Sequence, residues 1–169
     1  LQAIAILTFL TFANVMAQET TTTKYINSTD MEALKLTQEW DKTFPQSDKV
    51  EHTKIMFHNR YGITLAADLY KPKNTQGRLA AIAVSGPYGA VKEQVSGRYA
   101  QTLAERGFLT IAFDPSYYGE SGGTPRYLTS PEISTEDFSA AVDYLTSRAD
   151  VDLERIGILG ICGWGGFAL

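Results

Sequence analysis

Cysteine and histidine, the side chains most used to ligate metals and to activate nucleophiles, are scarce: Cys162, His52 and His58 are all that 169 residues contain. A single cysteine excludes an intrachain disulfide, so the fold must rest on its core. The two histidines stand six apart with no Cys/His cluster around them, which gives no basis for a metal site. No Lys/Arg block exists and no basic face interleaves with aromatics; the net charge of -4 comes from intermixed acids and bases. Nucleic acid is therefore not an expected partner. Neither a Gly-Lys-Ser/Thr element nor a G-x-G-x-x-G run is present, so no phosphate cradle and no dinucleotide cofactor is implied. With 44% hydrophobic residues, the chain fits one globular domain rather than a disordered polymer.

The one long apolar run, residues 1–15, is broken only by Gln2, Thr8, Thr11 and Asn14 and is followed by Val15-Met16-Ala17. It is too short for a comfortable membrane span and has the pattern of a signal peptide cleaved after Ala17, with small residues at −3 and −1. The expectation is an exported protein, periplasmic or extracellular, with no membrane span after processing. The leading Leu and the lack of a basic n-region point to upstream residues beyond the sequence. No Cys follows the cut, so a lipid anchor is not expected. Residues 18–49 read as a polar linker and an accessory helix, capped by Ser28 or Thr29 and running through Trp40 with Met31, Leu34 and Trp40 on one face.

Residues 50–169 carry the periodicity of a folded domain. Alternating apolar positions (Ile55, Phe57, then Ile63, Leu65, Ala67, Leu69) flank Asn59-Arg60-Tyr61-Gly62 and predict an antiparallel hairpin. The continuously apolar stretch 79–84 predicts a strand covered on both faces, as in a parallel sheet. Helical spacing over 96–106 (Tyr99, Ala100, Leu103, Ala104) ends at Gly107, followed by a second buried strand, 108–113. A helix beginning near Ser134, with Asp137 three residues on, presents Phe138, Ala141, Val142 and Leu145. Residues 152–155 close the connection into a third buried strand, 156–160. Strands alternating with helices after a hairpin predict an α/β fold, mostly parallel with an antiparallel N-terminal hairpin.

In such sheets ligands sit beyond the carboxyl ends of the strands, and all three ends here are rich in Gly and Pro. At the third, Gly160-Ile161-Cys162-Gly163-Trp164-Gly165-Gly166 suits a sharp strand-to-helix turn that lifts its central side chain clear of the sheet and tolerates only small neighbours. Cys162 at the centre is a candidate nucleophile, its thiolate favoured by the following helix N-terminus; the plainer reading is a buried inert thiol. A tetrahedral intermediate needs two backbone N–H donors. Gly163 N–H is one candidate, and Tyr88 N–H in the first strand end, Ser85-Gly86-Pro87-Tyr88-Gly89, is the other. The second end, Asp114-Pro115-Ser116-Tyr117-Tyr118-Gly119-Glu120-Ser121-Gly122, is read as ordering the loop above the site rather than contacting substrate.

Together the stretch 155–166, the loop 114–122 and Gly86-Pro87-Tyr88-Gly89-Ala90-Val91-Lys92-Glu93-Gln94 resemble bacterial α/β-hydrolases of the dienelactone-hydrolase-like type, over residues 50–169. The resemblance implies the α/β-hydrolase fold and hydrolysis of a small-molecule acyl ester or thioester, with Cys162 matching the cysteine of a Gly-x-Cys-x-Gly-Gly turn. This sequence departs from that pattern in carrying Trp164 where the family's turn has Gly. A shifted register would put Trp164 at the nucleophile position, the mark of a non-catalytic binding protein on the same fold. The family's base is a His downstream of the nucleophile, preceded by an acid; His52 and His58 both precede Cys162. The chain is therefore expected to be the front part of a longer hydrolase, truncated after the nucleophile turn, poorly soluble and inactive alone. Nothing in it specifies an oligomeric state.

Overall fold

The structure is a computed structural model that describes residues 34–169. The expected signal peptide, and the start of the expected accessory helix, lie outside the described residues. Residues 34–49 contain no helix. They are held by local bonds, Trp40 Nε1 to the Phe44 carbonyl at 2.8 Å among them, and by long-range ones: the Thr37 amide donates to Glu120 Oε1 at 2.7 Å and the Ser47 amide to Gln101 Oε1 at 3.1 Å.

The predicted hairpin is present as β1 (Val50–His58) and β2 (Thr64–Pro72), antiparallel from Val50 opposite Pro72 to His58 opposite Thr64. Its turn is closed by Gly62 N–H to the Asn59 carbonyl at 3.0 Å, and Asn59 Oδ1 accepts from the Tyr61 and Ile63 amides, the local side-chain bonding that makes Asn a turn residue. The strand β3 (Leu79–Ser85) leads into helix α1 (Val95–Ala104), β4 (Leu109–Phe113), helix α2 (Pro131–Thr146) and β5 (Val151–Gly160). One five-stranded sheet results, in the order β1-β2-β4-β3-β5. β3 pairs parallel with both β4 and β5, and β2 joins antiparallel to β4. The expected architecture, a mostly parallel sheet with an antiparallel start, is the one found.

Two apolar layers cover the sheet. On one face Leu65, Ala67, Leu69, Ala81, Ala83, Ile111 and Phe113 meet Phe138, Ala141 and Leu145 of α2; on the other Tyr70, Val84 and Ala112 meet Ala100 and Ala104 of α1 and Phe44. The period-2 pattern of β2 thus does not mean a half-exposed strand, since it is buried on both faces between β1 and β4.

Three sequence expectations need correction. Helix α2 starts at Pro131 with Ser130 as N-cap, one turn earlier than expected, and proline with its φ already helical suits that first position. Ser134 and Asp137 lie buried within the helix, where Asp137 accepts from Asn59 Nδ2 and from the amide and hydroxyl of Ser116. Tyr99 is half exposed, because α1 turns its small residues, Ser96, Gly97, Ala100 and Ala104, to the sheet. Third, β5 is not a buried strand: residues 152–155 belong to it, and Leu153 and Ile158 are 53% and 41% exposed. Among the described residues nothing pairs with its outer edge.

Phe138 is the side chain that carries α2 onto the sheet, with edge-on ring contacts to Phe113 at 5.1 Å and Trp164 at 6.2 Å. Phe138→Ala is expected to cost about 3–5 kcal/mol, measured as a shift in the urea unfolding midpoint without change in slope.

Candidate active site

Parallel pairing of β3 with β5 runs through Ser85 opposite Gly160, and the Ile161 amide still donates to the Ser85 carbonyl at 3.0 Å. The two strand ends therefore leave the sheet side by side. Immediately beyond, Cys162 takes a φ of 60°. A non-glycine residue rarely adopts this left-handed conformation, which costs on the order of 1–3 kcal/mol and persists where surroundings enforce it. A short 3-10 turn, Cys162–Gly166, follows in place of the expected α-helix.

The thiol of Cys162 is exposed, so it is not the buried inert side chain of the plainer reading. Trp164 lies on the opposite side of the turn. It is 1% exposed and packs on Phe138, Phe167 and Tyr88, and its φ is not among the positive values. The register that would place Trp164 at the apex is therefore not the one adopted.

Gly86 and Gly163 bring the first strand end against this turn. Gly86 has φ 96°, and a Cβ there would lie 2.5 Å from the Ile161 carbonyl oxygen and 2.7 Å from Trp164 Cβ. A Cβ on Gly163 would run into the Tyr88 ring. That ring rests on Gly163 with centroids 6.1 Å from Trp164 and 5.9 Å from Phe167, yet Tyr88 remains 50% exposed. The three predicted site residues, Cys162, Gly163 and Tyr88, are thus brought together. The Tyr88 and Gly163 amides have no acceptor among the described residues.

The histidines lie elsewhere. Both are on β1, four strands from β5, about 19 Å away at the usual inter-strand spacing. His52 pairs through Nε2 with Asp68 Oδ1 at 2.8 Å. Neither can serve Cys162 as a base.

Beneath the first two strand ends lies a feature the sequence reading missed. Lys92, fully buried, donates from Nζ to Asp114 Oδ2 at 2.8 Å and Glu120 Oε2 at 2.7 Å and also contacts Glu93, while its amide donates to Asp114 Oδ1 at 2.7 Å. Lys54 shares Glu120 Oε2 at 2.8 Å and reaches Asp41 Oδ2 at 3.0 Å. Asp41 continues to Lys42 at 2.6 Å, and Lys42 lies 3.0 Å from Asp68 Oδ2, an ion pair without hydrogen-bond geometry. Asp114 also accepts the Glu120 amide at 2.9 Å. Ser121 Oγ donates to the Asp114 carbonyl and accepts the Ala66 amide, the loop-ordering role expected of this segment. Asp41, Glu93 and Glu120 offer oxygens within 4.8 Å of one another, as a metal ion would require. The Lys54 ammonium already lies among them, at 3.0, 3.7 and 2.8 Å.

These contacts set the charges. Burial would push the Lys92 ammonium down, but Asp114 and Glu93 hold it well above the usual lysine range. Burial pushes the Asp114 carboxyl up to about 6 against the pull of Lys92, and likewise raises Asp137 to about 6 against the donors from Ser116 and Asn59. For Glu120 burial also pushes up, but hydrogen bonds from Lys54, Lys92 and the Thr37 amide together prevail and lower it to about 2.

The family model for X-Pro dipeptidyl-peptidases (S15 family) matches residues 61–168, nearly the whole sheet and the turn. The chain belongs to the S15 family. It is 67% identical over 150 residues to the uncharacterized protein PA2218 of Pseudomonas aeruginosa, covering 88% of this chain and 40% of that one. The crystal structure of PA2218 superposes with a TM-score of 0.79 at 70% identity, over 81% of this chain and 43% of that one. Thiohydrolase aneE of Aspergillus aculeatus is 30% identical over 123 residues, 73% of this chain and 38% of that one. A dienelactone hydrolase-like promiscuous phosphotriesterase, P91, from metagenomic libraries shares the fold, with a TM-score of 0.59 at 17% identity over 71% of this chain and 52% of that one. The S15 chain described here thus has the α/β-hydrolase fold of dienelactone-hydrolase-like proteins and is a member of a hydrolase family. It spans about two fifths of the length of these curated relatives.

Two expectations follow. Gly86→Ala combines a disfavoured left-handed φ with overpacking against backbone, and should destabilise by about 2–5 kcal/mol, read by thermal unfolding. Glu120 is ionised in the fold to lower pH than its ordinary 4.5, so its stabilising contribution is complete above about pH 5 and lost as pH falls through about 2. The difference in melting temperature between wild type and Glu120→Gln should be largest above pH 5 and close toward pH 2, followed by circular dichroism.

Proposed function

We propose that this protein is an acyl hydrolase acting on esters or thioesters, with Cys162 as nucleophile and the Gly163 and Tyr88 amides as oxyanion donors. The observation that carries the reading is the exposed, left-handed Cys162 directly beyond the end of a parallel strand. Strain of this kind aims a side chain away from the sheet and at a reacting carbonyl. The name of the relative aneE, a thiohydrolase, supports a thioester within the substrate class.

In the reaction, the Cys162 thiolate sulfur attacks the acyl carbon and the carbonyl π pair moves onto oxygen, where two N–H donors stabilise it. As that pair returns, the bond to the leaving alkoxide or thiolate breaks, and the leaving group departs with the bonding electrons and takes a proton. Water then attacks the acyl-Cys162 thioester, releasing a carboxylic acid and the free thiol. The second step needs a general base. His52 and His58 are too far across the sheet to supply it, so in this reading the base comes from outside these residues.

The alternative, a binding protein with an indole filling the nucleophile position, requires Trp164 at the apex, and its burial in the core weighs against that.

p-Nitrophenyl acetate tests the reading. The 169 residues should release about one equivalent of p-nitrophenol and stop, with one acetyl group on the peptide that contains Cys162. Cys162→Ala should abolish the burst, and Cys162→Ser should slow it by about 100-fold or more. An undiminished burst in Cys162→Ala would exclude Cys162 as the nucleophile.

A further inference from the structure

A charge removed from water persists in a fold only where its partners compensate it. Lys92 is such a charge, and what its partners have in common is position. Glu93 is its neighbour in the loop that leaves β3; Asp114 and Glu120 lie in the loop that leaves β4. The ammonium therefore orders two strand-end loops, and neither apolar layer includes it.

The loop 86–93 depends on that tie. Its internal hydrogen bonds are few, with the Ala90 amide to the Pro87 carbonyl at 3.1 Å among them, and Gly89 stands at φ 71° with open space around it. Apart from the bonds of Val91 with its near neighbour Gln94 at the start of α1, the hydrogen bonds that tie 86–93 to distant parts of the chain, among the described residues, are made by Lys92 and Glu93: Lys92 through its amide and ammonium, and Glu93 through its carbonyl, which accepts the Thr43 amide at 2.9 Å. Tyr88 sits between this anchored end and the contact of Gly86 with Ile161 and Trp164. Its ring contacts on Gly163, Trp164 and Phe167 fix one side of the loop, and the anchored end at Lys92 and Glu93 fixes the other, so the amide between them depends on both.

We propose that Lys92 is a positioning residue for the acyl-transfer site, which ties the 86–93 loop to Asp114 and so holds the Tyr88 amide where the carbonyl oxygen of a substrate bound at Cys162 develops its charge. The inference rests on the Cys162 reading above. Lys92 acts through the loop and does not touch the substrate. An oxyanion donor accelerates attack on a carbonyl but does nothing for displacement at a saturated carbon, which develops no oxyanion. Two reagents therefore separate positioning from general integrity.

The test compares, in the same chain, the rate of Cys162 acetylation by p-nitrophenyl acetate with the rate of its alkylation by iodoacetamide, both read by mass spectrometry. The variants are Lys92→Met and the charge-neutral pair Lys92→Met with Asp114→Asn, which avoids stranding a buried carboxylate if the single variant fails to fold. The acetylation-to-alkylation ratio is expected to fall about 10- to 100-fold, with alkylation itself within about twofold of wild type. A ratio left unchanged in the folded variants, including a parallel fall in both rates, would overturn the positioning role alone. A wild-type ratio no higher than that of free cysteine would overturn the Cys162 reading and this inference with it.

Discussion

The parallel pairing of β4, β3 and β5 is the constraint from which the rest of the molecule follows. Parallel neighbours need a crossover between them, and the crossovers here are the helices that bury the sheet on both faces. Because the strands point the same way, three strand ends arrive at one edge of the sheet, and every loop of the candidate site begins there. The Ser85 to Ile161 hydrogen bond carries the ladder up to the turn itself, so the backbone before Cys162 has little freedom. The left-handed conformation of Cys162 can then be imposed by the sheet rather than by the loop.

Loops at strand ends must hold a shape without a ladder of their own. Two different means are used here. At the third strand end the turn is held from below by apolar contact, with Trp164 wedged among Phe138, Phe167 and Tyr88. At the first two ends it is held by charge, through Lys92, Asp114 and Glu120 and outward by Lys54 and Asp41. The first is insensitive to pH and salt, whereas the second couples the loops to protonation in the acid range, although its buried members are shielded from salt.

Much of the scaffold could be read from local pattern. Continuous apolar runs, helical spacing and turn residues located the hairpin, three parallel strands and both helices, and the small residues around Cys162 located the turn. The errors arose where a distant partner decides the outcome. Ser134 and Asp137 have the spacing of a capping box, but Asp137 is drawn to Asn59 and Ser116, and Pro131 begins the helix. The charge network was invisible for the same reason: Asp41, Lys54, Asp68, Lys92, Asp114 and Glu120 are spread over eighty residues, and no spacing rule joins them. The one local hint was a lysine in a short loop between two apolar elements.

The segment before β1 has a further consequence. Thr37, Asp41, Lys42 and Phe44 reach, respectively, Glu120, Lys54, Asp68 and the core beside Tyr70, so what composition suggests is a tether is structurally part of the sheet domain that carries the candidate site. A modular boundary drawn at Val50, for domain grafting or for trimming an expression vector, would cut through the ionic scaffold instead of beside it. The structural unit that holds these loops therefore begins upstream of the first strand.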